Sequence, residues 1–212
     1  MSLQNIRTDY TRGTLLEVDA PADPLVLFQR WFDEAQAAQV PEPTAMTLAT
    51  VDAQGQPTAR IMLLKGLEDG RFVFYSNYES RKGRELAEQP SACLLFFWPT
   101  LQRQVRIEGE VTRVDAAESD AYFKVRPRAS RIGAWASPQS AVIENRAVLD
   151  AQYAEFEKKF RDAEPPRPPR WGGYALLPTA IEFWQGRASR LHDRLRYSKS
   201  PAAGWQRERL AP

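Results

Sequence analysis

The chain has 212 residues, with 29 Lys and Arg against 27 Asp and Glu and a formal net charge of +2, a balance that argues against a surface built wholesale for nucleic acid or anionic lipid. A chain of this length buries roughly 70% of its unfolded surface without staples, and a single cysteine, Cys93, excludes an internal disulfide. One histidine and one cysteine are too few for a structural zinc site or haem attachment, so no metal is expected.

From the N-terminus, residues 1–13 offer no apolar stretch that could act as a signal peptide, which points to a cytoplasmic protein. Asp23-Pro24 supplies a helix cap and a first-turn proline, and Leu25, Phe28, Trp31, Phe32 and Ala35 follow at helical spacing. Residues 45–51, 58–64, 71–76, 91–98 and 104–114 are β-favouring runs, the first two joined by the turn-rich Asp52-Ala53-Gln54-Gly55. The apolar run at 92–98 is the longest in the chain and is far short of the ~20 residues a membrane-spanning helix needs. Residues 79–88 lack β-formers and stop at Gln89-Pro90, which predicts a short helix. Further helices are expected over 115–124 and 143–160, and 165–170, with four prolines and two arginines, reads as an extended connector. Strand-like composition returns at 171–177, 180–185, 190–197 and 205–209. Strands with inserted helices, without strict alternation, favour an antiparallel barrel with peripheral helices, a mainly β fold in one domain over 21–212.

No nucleophile elbow, dinucleotide-binding glycine turn or P-loop is present. Chemistry instead gathers where cations stand beside hydroxyls and aromatics. Arg60-Ile61-Met62-Leu63-Leu64-Lys65 is a strand with a charge at each end, and the two charges face opposite ways. One site can use both only through a bulge, through main-chain contacts or at a subunit boundary. Tyr75-Ser76-Asn77 with Ser80-Arg81-Lys82 places hydroxyls, free N–H groups and two cations at a helix start, a cradle suited to phosphate. Residues 122–131 hold Lys124, Arg126, Arg128 and Arg131 with Tyr122 and no acid, which suits a phosphate or reads as a solvated basic loop. If a strand begins at Arg190, then Arg190, His192 and Arg194 share one face, a concentration of positive charge that calls for an anion.

These segments, with Arg126-Pro127-Arg128, Gly133-Ala134-Trp135, Gln139-Ser140, Phe183-Trp184-Gln185-Gly186 and the terminal Arg209-Leu210-Ala211-Pro212, resemble the pyridoxamine 5'-phosphate oxidase family, in order, from about Arg7 to Pro212. The resemblance implies an FMN-binding split β-barrel and a homodimer that oxidises pyridoxamine or pyridoxine 5'-phosphate to pyridoxal 5'-phosphate, with dioxygen as acceptor and hydrogen peroxide as product. It places FMN contacts on Arg60, Ile61, Met62, Leu63, Leu64, Lys65, Tyr75, Ser76, Arg81, Lys82, Gln104, Gln139, Ser140, Trp184 and Arg194. Substrate contacts fall on Lys65, Tyr122, Arg126, Ser130, Arg190 and His192, with Arg7 and Tyr10 in an N-terminal segment, residues 1–20, that could act as a lid. Arg190 and His192 are the residues expected to orient the substrate for catalysis, and Trp171-Gly172-Gly173 is read as structural. Two phosphate-bearing ligands account for separate basic clusters without nucleic acid. The competing readings are a non-catalytic flavin- or pyridoxal-phosphate-binding split barrel, which would lack Arg190/His192 or Arg126/Ser130, and a nucleic-acid module, which would expose stacking aromatics.

Overall fold

The computed structural model describes residues 2–5, 9–200 and 202–212, so Arg7 lies outside the described residues. The first helix, α1 (Pro24–Ala37), starts where Asp23 accepts the Leu25 N–H at 2.9 Å and Pro24 occupies the first turn. Strands β1 (Ala45–Val51) and β2 (Pro57–Leu63) form a hairpin in which the Asp52 carboxylate accepts the N–H groups of Gln54 and Gln56 and Gly55 takes φ +80°. A second hairpin, β3 (Gly66–Glu68) and β4 (Arg71–Asn77), turns through Asp69 and Gly70, both at positive φ, as a two-residue turn requires. The remaining elements are α2 (Arg81–Glu88), β5 (Ser91–Trp98), β6 (Arg103–Arg113), α3 (Ala116–Val125), α4 (Arg128–Ala136), α5 (Arg146–Lys159), β7 (Trp171–Gln185), β8 (Asp193–Ser200) and β9 (Gly204–Arg209).

All strand pairs are antiparallel, in the order β2-β1-β5-β6-β7-β4-β3, with β8 and β9 continuing from the second half of β7. The sheet curls around α1. Phe28 meets Phe72 of β4 at 4.9 Å and Phe96 of β5 at 5.3 Å, while Trp31 meets Phe183 of β7 at 5.2 Å. One helix therefore touches strands that are far apart in sheet order, and its aromatic face joins the inward residues of β1, β5, β6, β7 and β8 in a single core. The seam lies just after β2, where Leu64 donates its N–H to Thr44 O at 2.9 Å and Lys65 donates to Val73 O at 2.8 Å. Consecutive residues are thus tied to opposite sides of the split barrel. Among the described residues no helix is long and apolar enough to cross a membrane.

Three expectations from sequence are corrected by the structure, and one strand adds to them. The runs at 171–177 and 180–185 are one 15-residue strand, β7, in which Pro178 is accommodated because the register shifts between Glu108 and Gly109 opposite it. Only glycine fits at 109, since a Cβ would lie 2.1 Å from Leu177 O. The basic stretch after Pro127 is not a loop but the helix α4, whose buried residues are Ile132 and Ala136. The hairpin strand β3 was not expected at all. The last strand pair begins at Asp193 and not at Arg190: Ser189 and Arg190 form a turn at φ 57° and 61°, so Arg190, His192 and Arg194 do not line one strand face.

Candidate active site

A cavity of about 690 Å³ opens between β2, β4, α3 and α4, within the range of small-ligand pockets. Of the residues singled out in the sequence, Ile61, Met62, Leu63, Lys65, Tyr75, Ser76, Tyr122, Arg126, Ser130 and Gln139 line it. So do Gly133 and Ala134, whereas Trp135 turns its indole N–H to Pro166 O at 2.7 Å and packs on Phe156 and Phe160.

One wall is aromatic. Tyr75 and Tyr122 stack at 3.9 Å with 14° between planes, and Trp171 is nearly parallel to both, at 5.5 Å from Tyr75 and 6.2 Å from Tyr122. The Arg126 guanidinium lies 4.5 Å from the Trp171 ring centroid, and its Nη1 is buried without a hydrogen-bond partner among the described residues. Burial works against its charge. Trp171, read as structural from sequence, is therefore the platform on which a site arginine rests. Next to this wall, the cap of α2 is built by Ser80, which accepts the Gly83 N–H at 3.3 Å and donates to Asn77 O at 2.7 Å. Gly83 permits that approach, because a Cβ there would sit 2.1 Å from Tyr78 O.

Lys82 is buried at the same end of the cavity, 7% exposed, and donates to Ser76 Oγ, Ser80 Oγ and Gln139 Oε1, each at 3.2 Å. These partners are neutral. Burial first, and then the Arg60 charge, pulls the ammonium down from 10.5 to about 8. Arg60 and Arg81 stand beside it, both held by the buried carboxylate of Glu85, at 3.2 Å and 2.8 Å. Glu85 went unnoticed in the sequence; its only signal there is the i,i+4 spacing from Arg81. The Leu64 side chain is in the core, 6% exposed, so only its backbone can face a ligand, and Ser140 sits exposed beside Gln139 at φ 70°.

The other expected residues form a second cluster, absent from the cavity lining of their own chain. Trp184 and His192 lie 4.6 Å apart, and Tyr10 packs edge-on against both, at 5.7 and 5.8 Å. Gly186 makes room for the Tyr10 ring. Gln104 pairs with Trp184 across β6 and β7. Arg194 donates to Glu182 Oε1 and to Ala211 O, both at 2.8 Å, and Arg190 is exposed. The Arg187 N–H donates to His192 Nδ1 at 3.1 Å. A backbone N–H can only donate, so the neutral ring carries its proton on Nε2, which is left as its donor. Burial and then Arg190 hold the imidazole below its usual 6.5.

Comparison with known proteins accords with this geometry. Residues 32–160 match the family model described as pyridoxamine 5'-phosphate oxidase, and residues 171–212 match the pyridoxine 5'-phosphate oxidase C-terminal dimerisation region. The pyridoxine/pyridoxamine 5'-phosphate oxidase of Ectopseudomonas mendocina is 61% identical over 100% of this chain and 99% of its own length, and that of Bordetella avium is 60% identical over the whole of both. Among solved structures, PhzG from Burkholderia lata, in complex with tetrahydrophenazine-1-carboxylic acid, superposes with a TM-score of 0.88 at 34% identity, covering 94% of this chain and 98% of that one. A pyridoxamine 5'-phosphate oxidase-related FMN-binding protein from Nostoc punctiforme, 20% identical, shares the fold with a TM-score of 0.69 over 91% of this chain and 98% of its own. With both family models matched in order and full-length relatives at about 60% identity, the chain belongs to the pyridoxine/pyridoxamine 5'-phosphate oxidase family, on a split-barrel fold.

Proposed function

We propose that the chain is an FMN-dependent oxidase that converts pyridoxamine 5'-phosphate or pyridoxine 5'-phosphate to pyridoxal 5'-phosphate, with dioxygen as electron acceptor and hydrogen peroxide as product. The observation that carries this reading is a pair of cations at one cavity that no carboxylate contacts among the described residues: Lys82 behind Ser76 and Gln139, and Arg126 with an unpartnered Nη1. Burying such charges is costly unless an anion meets them. Two of them at one cavity fit two ligands that each carry a phosphate near −2.

FMN, when bound, supplies the redox chemistry, taking two electrons from C4' of the substrate and passing them to dioxygen. For the amine one water enters and ammonia leaves; for the alcohol no water is consumed. Lys82, Arg81, Ser76 and Gln139 hold the cofactor phosphate, while Arg126, Tyr122, Ser130 and Lys65 hold that of the substrate. His192 offers its Nε2 proton as a donor, and Arg190 adds a charge, so this pair orients the reacting end. Since Trp184, Arg190, His192, Arg194 and Gln104 are absent from the cavity of their own chain, a second copy supplies them and the working unit is a homodimer. The match of residues 171–212, which hold four of these five, to a dimerisation region supports this arrangement.

The purified protein should be yellow, yield FMN on denaturation, and release hydrogen peroxide under air when pyridoxamine 5'-phosphate is added. A protein that stays colourless with added FMN would overturn the cofactor assignment. Bound flavin without peroxide would leave a non-catalytic binder.

A further inference from the structure

Glu85 touches no part of the cavity, yet it is the most heavily hydrogen-bonded carboxylate near it. Its side chain is 4% exposed. Oε1 accepts from Arg81 Nε at 2.8 Å; Oε2 accepts from Thr50 Oγ1 at 2.5 Å, Thr58 Oγ1 at 2.8 Å and Arg60 Nη2 at 3.2 Å. The donors come from β1, β2 and α2, so one carboxylate ties a helix start to two strands.

The two arginines are held differently. Arg60 is held through both terminal nitrogens, with further bonds to Leu48 O, Thr50 Oγ1 and Thr58 Oγ1. Arg81 is held by Nε alone among the described residues and is 56% exposed, so its terminal nitrogens are free for a ligand while its orientation is fixed. Lys82 follows it directly, on the same first turn of α2. Without Glu85, three cations would face one another uncompensated. With it, three cations less one carboxylate leave two positive charges, the complement of a phosphate dianion.

We propose that Glu85 is a positioning residue for the phosphate end of the cofactor: it aims Arg81 through Nε and cancels the repulsion that would drive Arg60, Arg81 and Lys82 apart. This rests on the FMN reading above. The residue acts through Arg81 and is not a ligand contact. An isosteric amide cannot replace it, because Gln would present an NH₂ group to donors on one of its two sides.

The test measures FMN and riboflavin binding to the apoprotein by quenching of flavin fluorescence. Riboflavin has the same ring and no phosphate. Glu85→Gln should weaken FMN at least tenfold and leave riboflavin affinity within about twofold, shrinking the FMN-to-riboflavin ratio. A merely structural role would weaken both ligands together, and that result, or unchanged FMN affinity, overturns the proposal. Arg81→Lys, on an exposed side chain, keeps the charge but loses the Nε anchor and covers the case in which Glu85→Gln fails to fold. It should lose FMN affinity nearly as far as Arg81→Ala does, and wild-type affinity would show that charge alone suffices. If the wild-type apoprotein binds neither flavin, the FMN reading itself has failed, and the role of Glu85 falls with it.

Discussion

Replacing Lys82 by methionine separates what the buried ammonium costs the fold from what it contributes to binding. Methionine matches the length of the aliphatic stem and fills the same space without a charge. In the native protein, burial and the Arg60 charge hold Lys82 near 8 against an ordinary 10.5, and at about 1.4 kcal/mol per pH unit this is a penalty of about 3 kcal/mol at neutral pH. The hydrogen bonds to Ser76, Ser80 and Gln139 are lost in the variant, but Ser80 keeps Asn77 O and the Gly83 N–H, and Ser76 keeps Gln139, so this loss is about 1–2 kcal/mol. The apoprotein of Lys82→Met is therefore expected to be more stable than wild type by about 1–2 kcal/mol at pH 7, a rise of about 2–8 °C in Tm for a chain of this size. FMN affinity should move the other way: one charge-assisted hydrogen bond of about 1.5–3 kcal/mol corresponds to roughly 10- to 150-fold.

The pH dependence fixes the sign. Because the folded-state value lies below the unfolded one, the penalty is complete below about 8, fades between about 8 and 10.5 and is gone above 10.5. The stability advantage of the variant should fade over that same interval. Calorimetry of the two apoproteins across pH 6–11, with FMN titrations at pH 7, is the assay. An apoprotein destabilised by more than about 1 kcal/mol, or an FMN affinity equal to wild type, would refute the claim that Lys82 is a buried cation awaiting an anion.

Arg126→Ala should raise KM for pyridoxamine 5'-phosphate roughly 10- to 150-fold with FMN affinity unchanged, checked by steady-state peroxide release beside flavin titration. Arg190→Ala should likewise keep its full flavin content while kcat/KM falls by a similar factor; loss of flavin instead would move Arg190 to the cofactor side. Protonating His192 at Nδ1 would break its bond to the Arg187 N–H, so kcat/KM should fall as pH drops through a value below 6.5, and that acid limb should be absent in His192→Asn. Burial would raise the Glu85 carboxyl, but hydrogen bonds from Thr50, Thr58 and Arg81 and the Arg60 charge hold it at about 2, so its contribution of about 3 kcal/mol is present above 4.5 and lost as pH falls toward 2. The acid-unfolding slope of Glu85→Gln between pH 4.5 and 2 should be shallower than that of wild type.

Most strands and helix starts were legible because they carry a local signal: the alternating apolar residues of β1, the Asp23-Pro24 cap, the Ser80 and Asp115 caps. Helix α4 was hidden because only Ile132 and Ala136 anchor it, while Arg126-Pro127 and the cations that follow have the composition of a solvated loop. In the structure those cations are spent locally, Arg128 on Phe160 O and Arg131 on Glu164, so Arg126 alone of the group's arginines turns to the cavity. Glu85 could not be read because Thr50, Thr58 and Arg60 approach it from strands 25 to 35 residues away. A site at a subunit boundary was open from the opposite facing of Arg60 and Lys65, but which of the expected residues gather in one cavity was not, since a linear sequence does not say which of them the fold brings together.

The two clusters are also built on different physical terms. The Lys82 end is held by packing and buried hydrogen bonds on regular elements, and its cost is electrostatic. The Arg190 end stores backbone strain: Ser189 and Arg190, neither a glycine, sit in succession at φ 57° and 61°, at about 1–3 kcal/mol each. Such a turn persists only where its flanks are pinned. Arg187 binds Asp193 Oδ2 at 2.9 Å, Asp193 Oδ1 accepts from Arg209 at 2.8 Å, Arg209 pairs with Glu17 at 2.6 Å, and the Leu15 N–H donates to Asp193 Oδ2 at 3.1 Å. Arg187 thus ties the two ends of a five-residue turn together through Asp193, which the N-terminal segment and the last strand pin in turn, with His192 fixed in one tautomer and Arg190 left exposed within the turn. A cationic side chain exposed on a strained, clamped turn loses little further backbone freedom when it meets a ligand, and this is the property required of Arg190 in the proposed role of orienting a substrate in the cavity of a second copy.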